Sequence, residues 1–123
     1  MILVAKETPD HLLLEIRQDI LMENSKEFLD ELESLLKKHP ETKLLSMDFK
    51  SVQFMDSSGI GTLIRFTTTH QKNDWEFSIF GLNKNLMAVF QLSGIGNIIK
   101  LYTTNEFFKT YPDMDPSKEW KPK

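Results

Sequence analysis

The sequence predicts an α/β domain: one mixed sheet opened by a β-hairpin, with helices packed mainly on one face. Three observations carry this. Two short apolar runs near the start, residues 2–5 and 12–16, flank Thr8-Pro9-Asp10, a turn-forming composition. After them, segments with apolar residues at helical spacing alternate with apolar runs of strand length. Capping and terminating residues stand at the seams. A hairpin followed by alternating helices and strands implies parallel strands joined by right-handed connections.

Each element follows from its residues. Residues 2–5 and 12–16 read as the two hairpin strands. Phe28, Leu29, Leu32, Leu35 and Leu36 then recur with helical period, with Asn24 and Glu27 in capping-box positions in front and Pro40 behind. Residues 43–49 supply Leu44, Leu45, Met47 and Phe49, the mixture of alternation and continuous apolarity expected of a central strand. Ile60, Leu63, Ile64 and Thr67 fall on one side of a second helix, expected to end near Asn73-Asp74, and residues 76–80 read as a strand.

Asn83 is placed to cap a third helix that turns Leu86, Met87, Val89 and Phe90 inward, and Gly94 sits where a left-handed terminating residue belongs. Residues 98–102 give a last strand. Thr103 and Glu106 form a second capping-box pattern before Phe107 and Phe108, predicting a short fourth helix. The order is ββαβαβαβα, without internal repeats. With 123 residues the chain suits one core, expected over residues 1–110. Residues 111–123, with three prolines and many charges, read as a tail outside it that Trp120 could pin to a surface.

The most specific stretch is Phe54-Met55-Asp56-Ser57-Ser58-Gly59-Ile60-Gly61. An apolar run gives way to Asp-Ser-Ser-Gly and then to a helical pattern, which places Ser57 at a helix N-terminus. Free backbone N–H groups and the positive dipole end favour negative charge there, so a phosphoserine fits. Ser58, one step further in, reads as the structural cap. Asp56 either orients the Ser57 hydroxyl or attracts a kinase's metal ion, or else is a second capping acceptor or a solvated turn residue. Gly59 and Gly61 each cost about 1 kcal/mol against alanine in a helix, which suggests close approach by a partner or a phosphate. Capping alone explains one serine hydroxyl equally well.

Residues 47–64, MDFKSVQFMDSSGIGTLI, resemble the signature of the STAS domain family, specifically its anti-sigma factor antagonists, and Phe90-Gln91-Leu92-Ser93-Gly94-Ile95 resembles a second family segment. The resemblance covers roughly residues 2–110. It implies a STAS fold and a binding module that is not an enzyme and needs no cofactor of its own. Unphosphorylated, it would bind an anti-sigma factor serine kinase and so release a sigma factor; phosphorylated on Ser57 by that kinase, it would let go. A PP2C-type phosphatase would reset the serine. The implied contact surface is the Ser57 loop with Met55, Asp56, Ser58, Gly59, Ile60, Gly61 and Thr62. One departure stands out: phosphorylatable members carry Gly-Glu-Leu/Ile-Asp after the second strand, where this chain has Gln18-Asp19-Ile20-Leu21. Lacking the acid at Leu21, the chain also suits a constitutive docking or scaffolding module.

Composition narrows the alternatives. A net charge of −3, with Lys and Arg dispersed, offers no basic stripe for nucleic acid. The absence of cysteine removes disulfides and thiolate chemistry and fits a reducing cytoplasm. The N-terminal apolar run is too brief for a secretory segment, and no stretch reaches membrane-span length. No Gly-x-Ser-x-Gly elbow, Walker loop or dinucleotide fingerprint is present. His11, His39 and His70 read as exposed surface residues, Asp30, Glu31 and Glu33 as a solvated helix face, and the Phe and Met residues as core. A nucleotide-binding enzyme has only the helix N-terminus in its favour.

Overall fold

In the computed structural model, residues 2–8, 10–70 and 75–115 are described. Strands β1 (Leu3–Glu7) and β2 (His11–Ile16) form the opening hairpin, antiparallel with Leu3 opposite Ile16. Helix α1 (Ser25–Lys38) leads to β3 (Leu44–Asp48), α2 (Ser57–His70) to β4 (Glu76–Phe80), and α3 (Lys84–Ser93) through a 3-10 turn to β5 (Lys100–Leu101) and α4 (Thr104–Thr110). The sheet runs in sequence order, β1-β2-β3-β4-β5, with every pair after the hairpin parallel. The mixed sheet matches the expected class. The expected end of the second helix near Asn73-Asp74 lies outside the described residues.

Strand alternation sorts the two faces. Leu12, Leu14, Leu45, Met47, Phe77 and Ile79 meet Phe28 and Leu32 of α1, Leu63 and Phe66 of α2, and Leu86 and Phe90 of α3 in one buried cluster. The neighbouring register positions Leu13 and Phe80 point the other way and meet Tyr102, Phe107 and Met114. Thus α1, α2 and α3 cover one face and α4 a part of the other. Phe107 stacks on Phe80 with centroids 4.0 Å apart.

Several local expectations change. The capping box of α1 does not form: the Asn24 side chain turns back to accept from the Leu21 N–H at 2.7 Å. The capping box of α4 forms as expected between Thr103 and Glu106. Asn83 caps α3 through the Leu86 N–H, and Gly94 is left-handed at φ 80°. Val89, expected inside, is exposed. The last strand shrinks to two residues because a 3-10 turn at Ile95–Asn97 uses the preceding ones. Tyr111 packs on the second cluster and Met114 is buried in it, so the first residues of the expected tail lie against the domain, while residues 116–123, Trp120 included, are outside the described residues.

None of the three histidines is fully exposed. His11 is buried, with Nε2 2.8 Å from Ser46 Oγ, which lies 2.6 Å from Ser78 Oγ. Burial lowers its pKa against a weaker opposing pull from Asp10. His39 pairs with Glu7, and His70 with Glu33 at 2.7 Å. Glu31 likewise leaves the solvated face, accepting the Ile2 and Leu3 amides through its carboxylate.

Candidate functional site

Because β2, β3 and β4 run parallel, the loops after them gather at one edge of the sheet, where open α/β sheets place their binding sites. The loop after β3 ends in Asp56, and α2 begins at Ser57. Asp56 is the cap of this helix: its backbone C=O accepts from the Ile60 N–H at 3.0 Å and its Oδ1 from the Gly59 N–H at 3.0 Å. The cap expected at Ser58 is therefore Asp56, two residues earlier, because the helix takes in both serines. Oδ2 of Asp56 accepts from the Met22 N–H at 3.0 Å. Both carboxylate oxygens thus serve backbone amides, and the orienting role considered for Asp56 gives way to the capping one.

Ser57, at the first helical position, is exposed; Ser58 is half-buried. The two glycines differ. A Cβ on Gly59 would stand 2.7 Å from Met55 Cγ and 2.8 Å from the Ile20 carbonyl oxygen. The close approach expected from a partner comes here from the chain's own β2–α1 loop. A Cβ on Gly61 would meet only Arg65 Nη1 at 3.5 Å, an ordinary contact. Met55 and Thr62, expected on the contact surface, are each 3% exposed and support the loop from beneath; Ile60 is half-buried.

The β2–α1 loop is knitted to this one. Asp19 Oδ1 accepts from the Gln53 N–H at 2.8 Å and the Phe54 N–H at 3.1 Å. Ile20 and Met55 form a parallel bridge, and the Asp56 N–H donates to the Ile20 carbonyl. Asn24 Nδ2 donates to the Asp19 carbonyl at 2.9 Å. From the third loop, Asn83 Nδ2 donates to the Gln53 carbonyl at 3.1 Å. Two large apolar side chains stand out of this framework, Met22 at 73% exposure and Phe54 at 56%. Both were expected in the core.

The family profile that matches this chain is that of the STAS domain, over residues 3–108. The chain belongs to the STAS domain family. An anti-sigma-B factor antagonist of Listeria monocytogenes is 29% identical over 58 residues, 47% of this chain and 51% of that protein. The chain thus spans about half the length of the curated relatives it matches. Among solved structures, an anti-sigma factor antagonist from Mycobacterium paratuberculosis superposes with a TM-score of 0.72 at 17% identity, covering 90% of this chain and 93% of that one. The Bacillus cell fate determinant SpoIIAA in its phosphorylated form gives 0.65 at 15% identity over 89% and 98%. At such identities these structures show the fold.

Within this STAS domain the signature loop occupies the end of the central strand. What the sequence reading missed were Asp19, Met22 and Phe54. The Asp19 carboxylate carried a signal, an acidic side chain in a short loop without a helix to cap; Met22 and Phe54 carried none, because an apolar residue beside a turn reads as core until its neighbours are known. Among the described residues no helix is long and apolar enough to cross a membrane, and no group of three His, Asp or Glu is placed to hold a metal ion.

Proposed function

We propose that this STAS domain is an anti-sigma factor antagonist switched by phosphorylation of Ser57. The observation that carries the reading is the exposure of Ser57 at the first position of α2, on a loop whose neighbours are fixed by Asp19 and Asp56. Unmodified, the loop seats against an anti-sigma factor serine kinase and frees the sigma factor; the kinase supplies ATP and Mg²⁺. A PP2C-type phosphatase removes the phosphoryl group. The chain performs no chemistry itself and acts in the cytoplasm.

Phosphorylation adds about −1.5 to −2 charges and three acceptor oxygens. Repulsion from Asp56 is internal to the protein, present with or without a partner, so it cannot alone change affinity. The discrimination arises at the partner. To receive phosphate, Ser57 must reach the nucleotide, so a phosphoserine returning to that place meets like charge and loses its water. A loss of about 2.8 kcal/mol there weakens binding roughly a hundredfold.

Incubation with the anti-sigma kinase and ATP, with phosphate mapped by mass spectrometry, is expected to label Ser57 and to leave Ser57→Ala unlabelled. Labelling elsewhere with Ser57 untouched contradicts the reading. Leu21, in place of an acid, favours a second reading, constitutive docking through the same loop. Under it Ser57→Asp alters partner affinity only modestly, whereas under phosphorylation control it abolishes binding.

A further inference from the structure

Asp19 of the β2–α1 loop holds amides of the Ser57 loop, while Asp56 of the Ser57 loop holds the Met22 amide of the β2–α1 loop. The exchange is reciprocal, and the Ile20–Met55 bridge lies between its two arms. Two loops linked this way form one surface. Charged acceptors give hydrogen bonds of about twice the strength of neutral ones, so the linkage is built before any partner arrives. Gly59 completes it, since only a residue without Cβ lets α2 pass the Ile20 carbonyl.

The carboxylates fix their loops while the two side chains between them are left outside. Met22 lies two residues after Ile20, with its N–H on Asp56, and Phe54 immediately precedes Met55, the bridge partner of Ile20, so both stand close to the Asp56-Ser57 corner. Exposed apolar side chains scattered singly mean little; two held on rigid backbone beside a proposed binding loop form the centre of a contact patch. Phenylalanine supplies large area for little lost entropy, and methionine adapts to an irregular pocket.

Charge says what covers them. Residues 18–25 and 53–58 hold Asp19, Glu23 and Asp56 and no Lys or Arg. Of the cations next to these segments in sequence, Arg17 pairs with Glu15 and Lys26 with Asp30, while Arg65 of α2 lies further along the helix against Gly61 and Thr62. Asp19 and Asp56 are engaged with amides, which leaves exposed Glu23 beside Met22 facing outward. A second copy, bringing the same carboxylates, is a poor electrostatic match.

We infer that Met22 and Phe54, carried on two loops that the Asp19–Asp56 exchange joins, anchor a protein partner that presents an apolar pocket rimmed by cations opposite Glu23. This rests on the reading above and names the partner's chemistry: the anti-sigma kinase receives the two apolar side chains in its pocket, its cations meet Glu23 at the Met22 end, and its nucleotide meets Ser57 at the other.

The test is calorimetric titration of the anti-sigma kinase, loaded with ADP, with the full chain and with Met22→Ser, Phe54→Ser, Glu23→Lys and Asp19→Ala or Asn. Met22→Ser and Phe54→Ser are expected to weaken binding at least tenfold each with only small changes in unfolding midpoint, since both side chains are more than half exposed to water. Glu23→Lys is expected to weaken it and flatten its salt dependence. Asp19→Ala is expected to speed hydrogen exchange at the Gln53 and Phe54 amides and weaken binding, with Asn, which keeps the acceptor, restoring part of both. Wild-type affinity in the Met22 and Phe54 variants, with Ser57→Asp still abolishing binding, overturns this inference and leaves the phosphorylation reading standing. A wild-type chain that fails to bind the kinase overturns both. If sedimentation shows a dimer that the Met22 and Phe54 variants dissolve, the occupant is a second copy and the inference is wrong.

Discussion

At the scale of single residues, the site is set by contacts shorter than a sequence pattern can report. Gly59 reads from sequence as a poor helix residue awaiting a visitor, and the visitor is the Ile20 carbonyl of the same chain. Gly59→Ala is expected to cost about 1–3 kcal/mol, the usual range for overpacking a tight contact, measured as a lowered midpoint in urea with unchanged slope. Ser57→Ala at an exposed position should stay within about 0.5 kcal/mol of the parent. His11 gives a pH signature. Burial holds its folded pKa below the ordinary 6.5, so the unfolded chain binds more protons in the interval below that value. Its contribution is complete above about pH 6.5 and is lost as pH falls through that interval. Asp48 works in the other direction and at lower pH, because burial pushes its carboxyl up and the folded state then holds the extra proton. Urea titrations of the parent and His11→Gln between pH 5 and 8 check this: the slope below pH 6.5 should shrink in the variant.

Among the elements, those whose signals are local came through. The Thr103–Glu106 capping box, the Asn83 cap and the left-handed Gly94 are each written within four residues. Thr103→Ala should lower stability by about 1 kcal/mol, seen in thermal unfolding, because it leaves an N-terminal amide of α4 without its acceptor. The Asn24–Glu27 pattern had the same spelling and failed, since the Asn24 side chain is claimed by the Leu21 amide and the Asp19 carbonyl, a competition visible only once the β2–α1 loop is folded. Val89 kept helical spacing with its neighbours yet faces outward, because only the stripe through Leu86 and Phe90 reaches the sheet. Loss of the α4 packing is testable too. Phe107→Ala removes a fully buried ring stacked on Phe80 and should cost about 3–5 kcal/mol, read from denaturant midpoints.

For the molecule as a whole, the fold class was legible because hairpin and alternation leave few ways to bury both sheet faces, whereas the sequential order of the strands in the sheet was outside that reading, since right-handed connections are compatible with several orders. The site was half legible. The octet from Phe54 to Gly61 placed Ser57 at the tip of α2, whereas the second half, the β2–α1 loop with Asp19 and Met22, lies more than thirty residues away in sequence and reaches the serine only through parallel pairing of strands β2 and β3. The architecture thus joins two distant loops into one surface around a single exposed hydroxyl. The most direct measurement compares the affinity of the anti-sigma kinase for the unmodified chain and for the chain phosphorylated on Ser57. About a hundredfold weaker binding of the phosphorylated form is the result predicted; equal affinity for the two contradicts it.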